Sequence, residues 1–433
     1  MFKKKFGIIF LLINNLIFTS DSVQIGISAK QTEKMSILIG IVKPDHFLND
    51  ISKKIKSDIE FSGQFKVSIE EFPSLKTKND ILNLADKGYQ FAIFLNCNNG
   101  TEWRLYDATQ AQMIKGKKVY VSKTNYSSIA HQFADEILPL LTGQQSGFAS
   151  VVVACKQINM KKRRRYCNHL YVFHPVEYFN NLSEPKLILK ETSVCLAPRW
   201  NCTKPLLYYS KHSSYNVRLM CLDMAKRKSL VSNFDGLNLT PAFSMDGKIV
   251  ISLTKNGKGR MCKYEFDKNK KIGRFIPITD PKIHAICPSF IDNNRIVFCA
   301  IDKRNKARIA ILDLTNNDIK YLTETNEHCV CPCCHAKNSI IAYCKKIKGY
   351  LQIFLYDLNT NEHKQLTFNS GDKDEVSWSP CGNYLTYSID TNGKSRIAIF
   401  NLINNEQKIL TPANENWTYP TWSPVYYDRM PFV

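Results

Sequence analysis

Histidine and cysteine side chains crowd into one short segment of the 433-residue chain. The segment contains His328, Cys329, Cys331, Cys333, Cys334 and His335. Thiolates and imidazoles are the ligands of zinc sites, so one interpretation of this cluster is a metal site. Successive residues of a strand point to opposite faces, so every second residue shares a face. This predicts Cys329, Cys331 and Cys333 on one face and Cys334 on the other. Such a row does not bring four ligands onto one ion, and we expect a strand core or disulfides here and no metal.

A second set of polar candidates lies in a long sequence repeat, four residues before the residue that opens each unit. These positions are Val194, Leu237, His284, His328, Asp372 and Asn416. Two histidines, an aspartate and an asparagine could ligate a metal, but apolar residues interrupt them and they form no matched carboxylate set. The mixture favours protein docking over catalysis.

Catalytic signatures are missing from the sequence. It contains no GxSxG elbow, no HExxH motif, no P-loop and no GxGxxG fingerprint. His328 and Cys329 are adjacent, but neighbouring strand residues point apart and cannot share a proton. We therefore predict a non-enzymatic protein without a cofactor. The pattern leaves open a secreted metal-dependent hydrolase of the lactonase type, whose carboxylates would converge on one axis from several repeat units.

The repeat sets the architecture that positions these residues. Each unit opens with Pro or Val, a variable residue and a large side chain, as in Pro241–Phe243, Val376–Trp378 and Pro420–Trp422, and Pro332–Cys334 is the degenerate member. Successive units are 43 to 47 residues apart. That period is the length of four short strands with their turns, which is typical of a β-propeller blade.

The two ends of the repeat complete each other. Residues 148–191 contain three strand-like runs, whereas the last unit stops after its opening strand at Tyr419–Pro424. Joining them completes a sixth blade and leaves no open sheet edge at the seam. We predict a six-bladed β-propeller over residues 146–433, closed by the C-terminal strand.

A small α/β domain, of α+β layer type, is predicted over residues 23–145. Ile37–Val42 is an apolar run of strand length, and apolar residues then recur every four residues, which predicts a helix over His46–Phe61. Two helices on one face of a small sheet are the simplest assembly. Gly143–Gly147, with the sequence GQQSG, predicts a linker between the domains.

The N-terminus has the pattern of a secretory signal. Lys3–Lys5 precede an apolar stretch, Phe6–Phe18, that is shorter than the about 20 residues of a membrane-spanning helix. Ser20 and Ser22 are small residues at the positions that favour cleavage before Val23. We predict that residues 1–22 are a signal peptide, that the mature chain is exported, and that it has no transmembrane segment.

The chain is strongly basic, with a formal net charge of +21, and its basic residues are scattered. Lys161–Arg165, the one dense run, is predicted at a solvated hairpin tip. Nucleic-acid modules concentrate such charge with stacking aromatics, so we expect no nucleic-acid partner. A generic binder of an anionic envelope surface stays open as an alternative. The fifteen cysteines are an odd number, so at least one thiol stays free or pairs between molecules.

Several segments, in their order along the chain, resemble the TolB family. These are the strand Ile37–Val42, the helix end Phe61–Phe65, Leu141–Gly143 at the domain junction, Thr240–Ser244 and the C-terminal Tyr419–Pro424. The resemblance covers the whole mature chain. It implies a periplasmic component of the Tol–Pal system, which links the inner to the outer membrane and serves outer-membrane integrity and invagination during cell division.

The resemblance also implies two partners and a monomeric protein. A TolA-like inner-membrane protein would bind the mature N-terminus, which consists of Val23, Gln24, Ile25, Gly26, Ile27 and Ser28. This segment alternates apolar and polar residues and suits strand addition to a partner's sheet. A Pal-like outer-membrane lipoprotein would dock at the mouth of the propeller channel. The candidate residues there are Leu237, Thr240, His284, Ile286, His328 and Asp372.

Overall fold

The computed structural model describes residues 33–426 and 432, except 75–76, 99, 121–125, 161–164, 235, 237, 256–257, 268–271 and 336–338. The predicted signal peptide and the segment Val23–Ser28 therefore lie outside the described residues. No helix in the described ranges is long and apolar enough to cross a membrane.

An α/β sheet forms the first part of the described chain. Its elements are β1 (Met35–Val42), α1 (His46–Phe61), β2 (Phe65–Phe72), α2 (Lys78–Asp86), β3 (Phe91–Cys97), β4 (Thr101–Asp107), β5 (Gln112–Val119) and α3 (Tyr126–Thr142). The strand order is β2-β1-β3-β4-β5, with β1 parallel to both β2 and β3 and the other pairs antiparallel. The predicted helix over His46–Phe61 is confirmed.

Two helices pack on one face of this sheet, as predicted, and the third lies on the other face. Ile55 of α1 and Phe133 of α3 share a core with Ile39, whereas Ile81 of α2 packs with Leu38 on the other face. The reason is the handedness of parallel crossovers. The chain moves outward from β1 to β2 and then back across β1 to β3, and two right-handed crossovers in opposite directions place α1 and α2 on opposite faces.

Six four-stranded sheets form the propeller, and five of them are continuous in sequence. The first is β9 (Val194–Trp200), β10 (Leu207–His212), β11 (Val217–Leu222) and β12 (Lys228–Ser232), and the second is β13 (Asn238–Phe243), β14 (Ile249–Lys255), β15 (Lys258–Asp267) and β16 (Ile272–Pro277). The third is β17 (His284–Phe290), β18 (Arg295–Ile301), β19 (Ala307–Asp313) and β20 (Ile319–Tyr321). The fourth is β21 (Cys329–His335), β22 (Ile340–Ile347), β23 (Tyr350–Asp357) and β24 (His363–Gln365), and the fifth is β25 (Asp372–Trp378), β26 (Tyr384–Thr391), β27 (Lys394–Asn401) and β28 (Glu406–Ile409).

The sixth blade joins the two ends of the repeat. It contains β6 (Val152–Met160), β7 (Arg165–Phe173), β8 (Lys186–Leu189) and, from the C-terminal end, β29 (Trp417–Trp422), and a short helix α4 (Pro175–Phe179) follows β7. The indole N–H of Trp422 donates to Ser150 Oγ at 2.8 Å, and Ser423 N–H donates to the Val151 carbonyl at 2.8 Å. Strand pairing between β29 and β6 thus closes the ring.

A bulge interrupts the innermost strand of most blades. Residues with a left-handed backbone at this place are Ala197, Cys287, Cys331, Glu375 and Tyr419. In the fourth blade the register shifts between Val330 and Cys333. The strand alternation that predicted Cys329 and Cys333 on one face is therefore wrong, because the extra residue turns Cys333 to the opposite side. Cys329 packs toward the third blade's sheet and Cys333 toward the fifth.

The segment between the α/β sheet and the propeller is closely packed. The Asp135 carboxylate of α3 accepts the backbone N–H groups of Phe148 and Ala149 at 2.6 and 2.8 Å. A Cβ added to Gly147 would lie 2.7 Å from the Pro380 ring of the fifth blade. The residues predicted as a linker thus lie against both parts, and the domain boundary between residues 145 and 146 stays a prediction.

Candidate functional site

The predicted partner site lies where the innermost strands of the blades begin. His284 is the first residue of β17 and Asp372 the first of β25, while His328 directly precedes β21 and Ile286 lies within β17. Thr240 lies in β13, and only its backbone is described. Leu237 lies outside the described residues. Four of the six candidates are thus placed with their side chains at one end of the channel.

His284 and Ile286 pack against the backbone of the neighbouring second blade. A Cβ added to Gly259 would lie 2.8 Å from His284 Cδ2 and 2.9 Å from Ile286 Cγ2. Only a glycine lets the strand approach these side chains so closely. Burial lowers the pKa of His284, so its imidazole is neutral at pH 7 and offers one donor and one acceptor.

His328 is half-buried on the adjacent blade, and its carbonyl accepts the backbone N–H of Lys346 at 2.9 Å. Burial, together with the nearby Lys346 and Lys306, lowers the pKa of His328. Both histidines at the mouth are therefore neutral hydrogen-bonding groups on a surface with an apolar neighbour, Ile286.

Asp372 makes a contact between blades that the sequence did not reveal. Its Oδ1 accepts the backbone N–H of Leu351, in the third strand of the preceding blade, at 2.7 Å. Asn416 stands 44 residues later in the repeat, and its Oδ1 accepts the N–H of Ser395 at 2.9 Å in the same way. These two positions stabilise neighbouring blades, and a partner-binding role for Asp372 stays a prediction.

The residue after Asp372, Lys373 of β25, holds the loop that precedes this strand, and sequence reasoning missed it. The Lys373 side chain is buried, and its ammonium donates to the carbonyls of Ser370 and Gly371 at 2.8 Å each and to that of Asn369. Burial lowers the pKa of Lys373. The loop fixed in this way follows Phe368, whose ring is 74% exposed. No sequence signal separates Lys373 from the many surface lysines.

Inside the channel, Glu375 occupies the bulge of the fifth blade. Its Oε2 accepts the Tyr419 N–H and the Ser388 hydroxyl, each at 2.5 Å. Burial and the adjacent Asp374 raise the pKa of Glu375 to about 7. A propeller metalloenzyme would need several such groups together. Along the described part of the channel, no three His, Cys, Asp or Glu ligand atoms lie within 4.8 Å of one another.

The other end of the channel holds a cavity of about 260 Å³, lined by the carboxyl-terminal halves of innermost strands. Arg199, Trp200, Cys287 and Cys331 contribute to its wall. All fifteen cysteines lie in the described residues, and none of them forms a disulfide there. The predicted strand-core role fits Cys329, which is buried.

A second polar cluster lies between the α/β sheet and the propeller. His131 of α3 is buried, with Nδ1 2.6 Å from Asp58 Oδ2 and Nε2 2.9 Å from Glu177 Oε1. His174 stacks on it with ring centroids 3.7 Å apart and the planes inclined by 16°. His174 Nε2 lies 2.6 Å from the Phe148 carbonyl, and His174 Nδ1 accepts the N–H of Glu177 at 3.2 Å. Lys54 of α1 completes the cluster through an ion pair with Glu177.

The cluster resembles a metal site by distance but not by direction. Ligand atoms of Asp58, His131 and His174 lie within 4.8 Å of one another. Stacked rings point their nitrogens in parallel, whereas ligands must converge on an ion. All four ring nitrogens also have protein partners. The arrangement is a hydrogen-bonded ion network.

Comparison with known proteins gives the family. A model described as the TolB β-propeller domain matches residues 139–426. The Tol–Pal system protein TolB of Gluconobacter oxydans is 24% identical over 213 residues, which are 48% of this chain and 45% of that protein. That of Rickettsia africae is 25% identical over 224 residues, 48% of each chain. The chain thus spans about half the length of the curated relatives it matches.

A solved structure extends the likeness in fold to most of the chain. The crystal structure of TolB from Acinetobacter baumannii superposes with a TM-score of 0.74 at 20% identity, and the match covers 91% of this chain and 97% of that one. At this identity the likeness concerns the fold. The propeller family model, by contrast, matches well over half of the sequence. The chain therefore belongs to the TolB β-propeller domain family.

Proposed function

We propose that the protein is a non-enzymatic, monomeric, periplasmic protein-binding component of a Tol–Pal-like system. In this role it links an inner-membrane partner to an outer-membrane partner and supports outer-membrane integrity and invagination during division. Membership of the TolB propeller family and the shared two-part fold support the proposal. The observation that carries it is the channel mouth, where two neutral histidines stay half-buried and His284 and Ile286 pack against the neighbouring blade.

The mouth suits a folded protein with a mixed polar and apolar surface. His284 and His328 are neutral, and Ile286 packs beside His284 on Gly259, so the surface offers directional hydrogen bonds and an apolar contact. Fixed side chains lose little entropy when a partner binds. We propose that a Pal-like lipoprotein docks here, with Leu237, Thr240 and Asp372 completing the surface.

A TolA-like protein is the proposed second partner, through the segment Val23–Ser28. Its alternation of apolar and polar residues suits strand addition, in which main-chain hydrogen bonds supply affinity and alternate side chains supply specificity. A chain that begins after Ser28 is expected to lose this partner and to keep the Pal-like one.

The decisive experiment is calorimetry of the chain from Val23 onward with the soluble domain of the Pal protein of the same organism. We expect saturable one-to-one binding that His284→Ala weakens about tenfold or more. Met245→Ala is the matched control, because Met245 is 68% exposed and follows β13, at the opposite end of the innermost strands.

Two outcomes would contradict the docking proposal. No binding under either reducing or oxidising conditions removes the Pal-like partner, and metal content after chelation and reloading then tests the hydrolase alternative around Glu375. Binding to anionic polymers that salt abolishes, without a saturable protein partner, would instead favour a generic envelope binder.

A further inference from the structure

The network around His131 joins three elements that belong to different parts of the fold. Asp58 lies on α1 and His131 on α3, both packed on the α/β sheet, whereas Glu177 lies on α4 of the closing blade. The Asp58 and His131 side chains are completely buried, and that of Glu177 is nearly so. The contacts of His131 therefore bridge the α/β part and the propeller in a place that water does not reach.

The partners of the two rings fix where the protons are. Both nitrogens of His131 face carboxylate oxygens, which accept hydrogen bonds, so both nitrogens carry a proton and the ring is an imidazolium. His174 donates from Nε2 to a carbonyl and accepts at Nδ1 from a backbone N–H, so its ring is neutral. Each ring has the one protonation state that satisfies all its partners.

The groups that face His131 balance its charge. Asp58 and Glu177 carry one negative charge each, and Lys54 and His131 carry one positive charge each. Ser127 Oγ donates to Glu177 Oε1 at 2.8 Å, and the nearby Asp135 is held by backbone N–H groups. Asp58 Oδ1 is buried without a hydrogen-bond partner. From the propeller side, the phenol of Tyr384 on the fifth blade lies near Asp58 and Asp135, and the buried Cys381 thiol lies near Asp135.

We propose that the doubly protonated His131 ring is a charged latch that docks the α/β part on the propeller, and that loss of its second proton releases the docking. A neutral ring satisfies one carboxylate and leaves a lone pair facing the other. A buried carboxylate that loses its partner is strongly destabilising, and here the loss falls on the contact between the two parts.

The direction of the pH dependence follows from the shifts. Burial would lower the pKa of His131, but Asp58 and Glu177 outweigh it and raise this pKa to about 9. A raised histidine pKa contributes stability that is complete below about 6.5 and is lost as the pH rises through about 9. Burial opposes ionisation of Glu177, but the charged His131 and Lys54 hold its pKa well below the usual range, so its contribution is complete above about 4.5. Burial also raises the pKa of Asp58 to about 6, although His131 opposes this shift, so Asp58 ionises only as the pH rises through that value. The charged network is therefore complete between about pH 6 and 9, and the docking weakens on the alkaline side as His131 loses its proton.

The first test reads the protons directly in the intact chain. Nitrogen NMR of ¹⁵N-histidine-labelled protein should show both ring nitrogens of His131 protonated at pH 7, with the His131 signals assigned by elimination through single substitutions of the other histidines. The ring should titrate well above the ordinary value of about 6.5. A His131 ring that is neutral at pH 7, or a stoichiometric metal ion that leaves with His131→Gln, overturns the proposal.

The second test measures whether the α/β part and the propeller unfold together or separately. Calorimetric unfolding of the wild type should give one transition at pH 6 and two at pH 9.5, and protection of the Phe148 and Ala149 amides from exchange should fall about tenfold or more. His131→Gln should show two transitions at both pH values. His212→Gln is the matched control, because His212 lies in the first blade and its buried Nε2 has no partner. The same pH response in wild type and His131→Gln contradicts the latch, and the NMR titration decides the question should that variant not fold.

Discussion

The two polar regions of this molecule are built on opposite principles. Around His131 the charges are fully buried and every ring nitrogen is paired, whereas at the channel mouth His284 and His328 are half-buried and neutral. In the first region the ring nitrogens find their partners within the chain. The second keeps hydrogen-bonding capacity at the surface, although its backbone is fixed.

This difference separates a region that holds the chain together from one that can meet another molecule. Removing a partner from the buried network leaves a charge in a medium that solvates it poorly, so large losses of stability are expected there. Removing a side chain from the mouth leaves groups that water can reach, so the losses should appear in partner binding. Variants in each region can therefore test whether the first mainly affects stability and the second mainly affects partner binding.

The largest effect on the junction side is expected from Trp422→Ala. The Trp422 ring is 7% exposed, lies against Tyr384 with centroids 6.0 Å apart and joins the core shared by the closing blade and the α/β sheet. Its loss should reduce the free energy of unfolding by about 3 to 5 kcal/mol, measured by urea denaturation. Trp422→Phe keeps most of the ring and loses the bond to Ser150, so it should cost less. Equal losses for the two variants would contradict the role of ring packing.

Glu177→Gln should have a comparable or slightly smaller effect. The amide cannot balance the charges of Lys54 and His131, and breaking a buried pair costs about 3 to 5 kcal/mol. The stability curve of the variant should also lose the rise with pH below about pH 4.5 that the lowered pKa of Glu177 gives the wild type. Glu184→Gln, on the exposed surface after α4, serves as the control. A variant as stable as the control would show that the junction network is not needed for stability.

On the mouth side, Lys373→Met should cost about 1 to 3 kcal/mol, because it leaves buried carbonyls without donors. The loop that presents Phe368 should become more mobile, so partner affinity should fall together with stability. Lys364→Met is the control, since Lys364 is an exposed residue of β24. Unchanged hydrogen exchange at Ser370 and Gly371 in Lys373→Met would contradict the fixing of this loop.

Periodicity explains which parts of the molecule could be predicted. The sequence repeat predicts both the number of blades and the positions of the strands that line the channel. Its clearest members are Pro241–Phe243, Val376–Trp378 and Pro420–Trp422. The helix over His46–Phe61 was likewise readable from its spacing. Each of these features depends on residues close in sequence or equally spaced along it.

The buried network could not be predicted from the sequence, because its members have no common spacing. Asp58, His131 and Glu177 come from three separate elements and meet only through the docking of the α/β sheet on the closing blade. The bulge at Cys331 was also hidden, since a single extra residue reverses the faces of the strand without changing its composition. Both depend on tertiary packing.

The smallest effect is expected at Asp372, and it separates structure from recognition. Asp372→Ala removes the acceptor for Leu351 N–H and should cost about 0.5 to 1.5 kcal/mol, measured by urea denaturation. Asp372→Asn should be nearly neutral, because Asn416 accepts the N–H of Ser395 in the next blade with an amide oxygen. If Asp372→Asn keeps its stability and still weakens binding of the Pal-like domain, the carboxylate itself contacts the partner. If it keeps both, Asp372 serves the blades alone, and the partner surface narrows to the two histidines and their apolar neighbours.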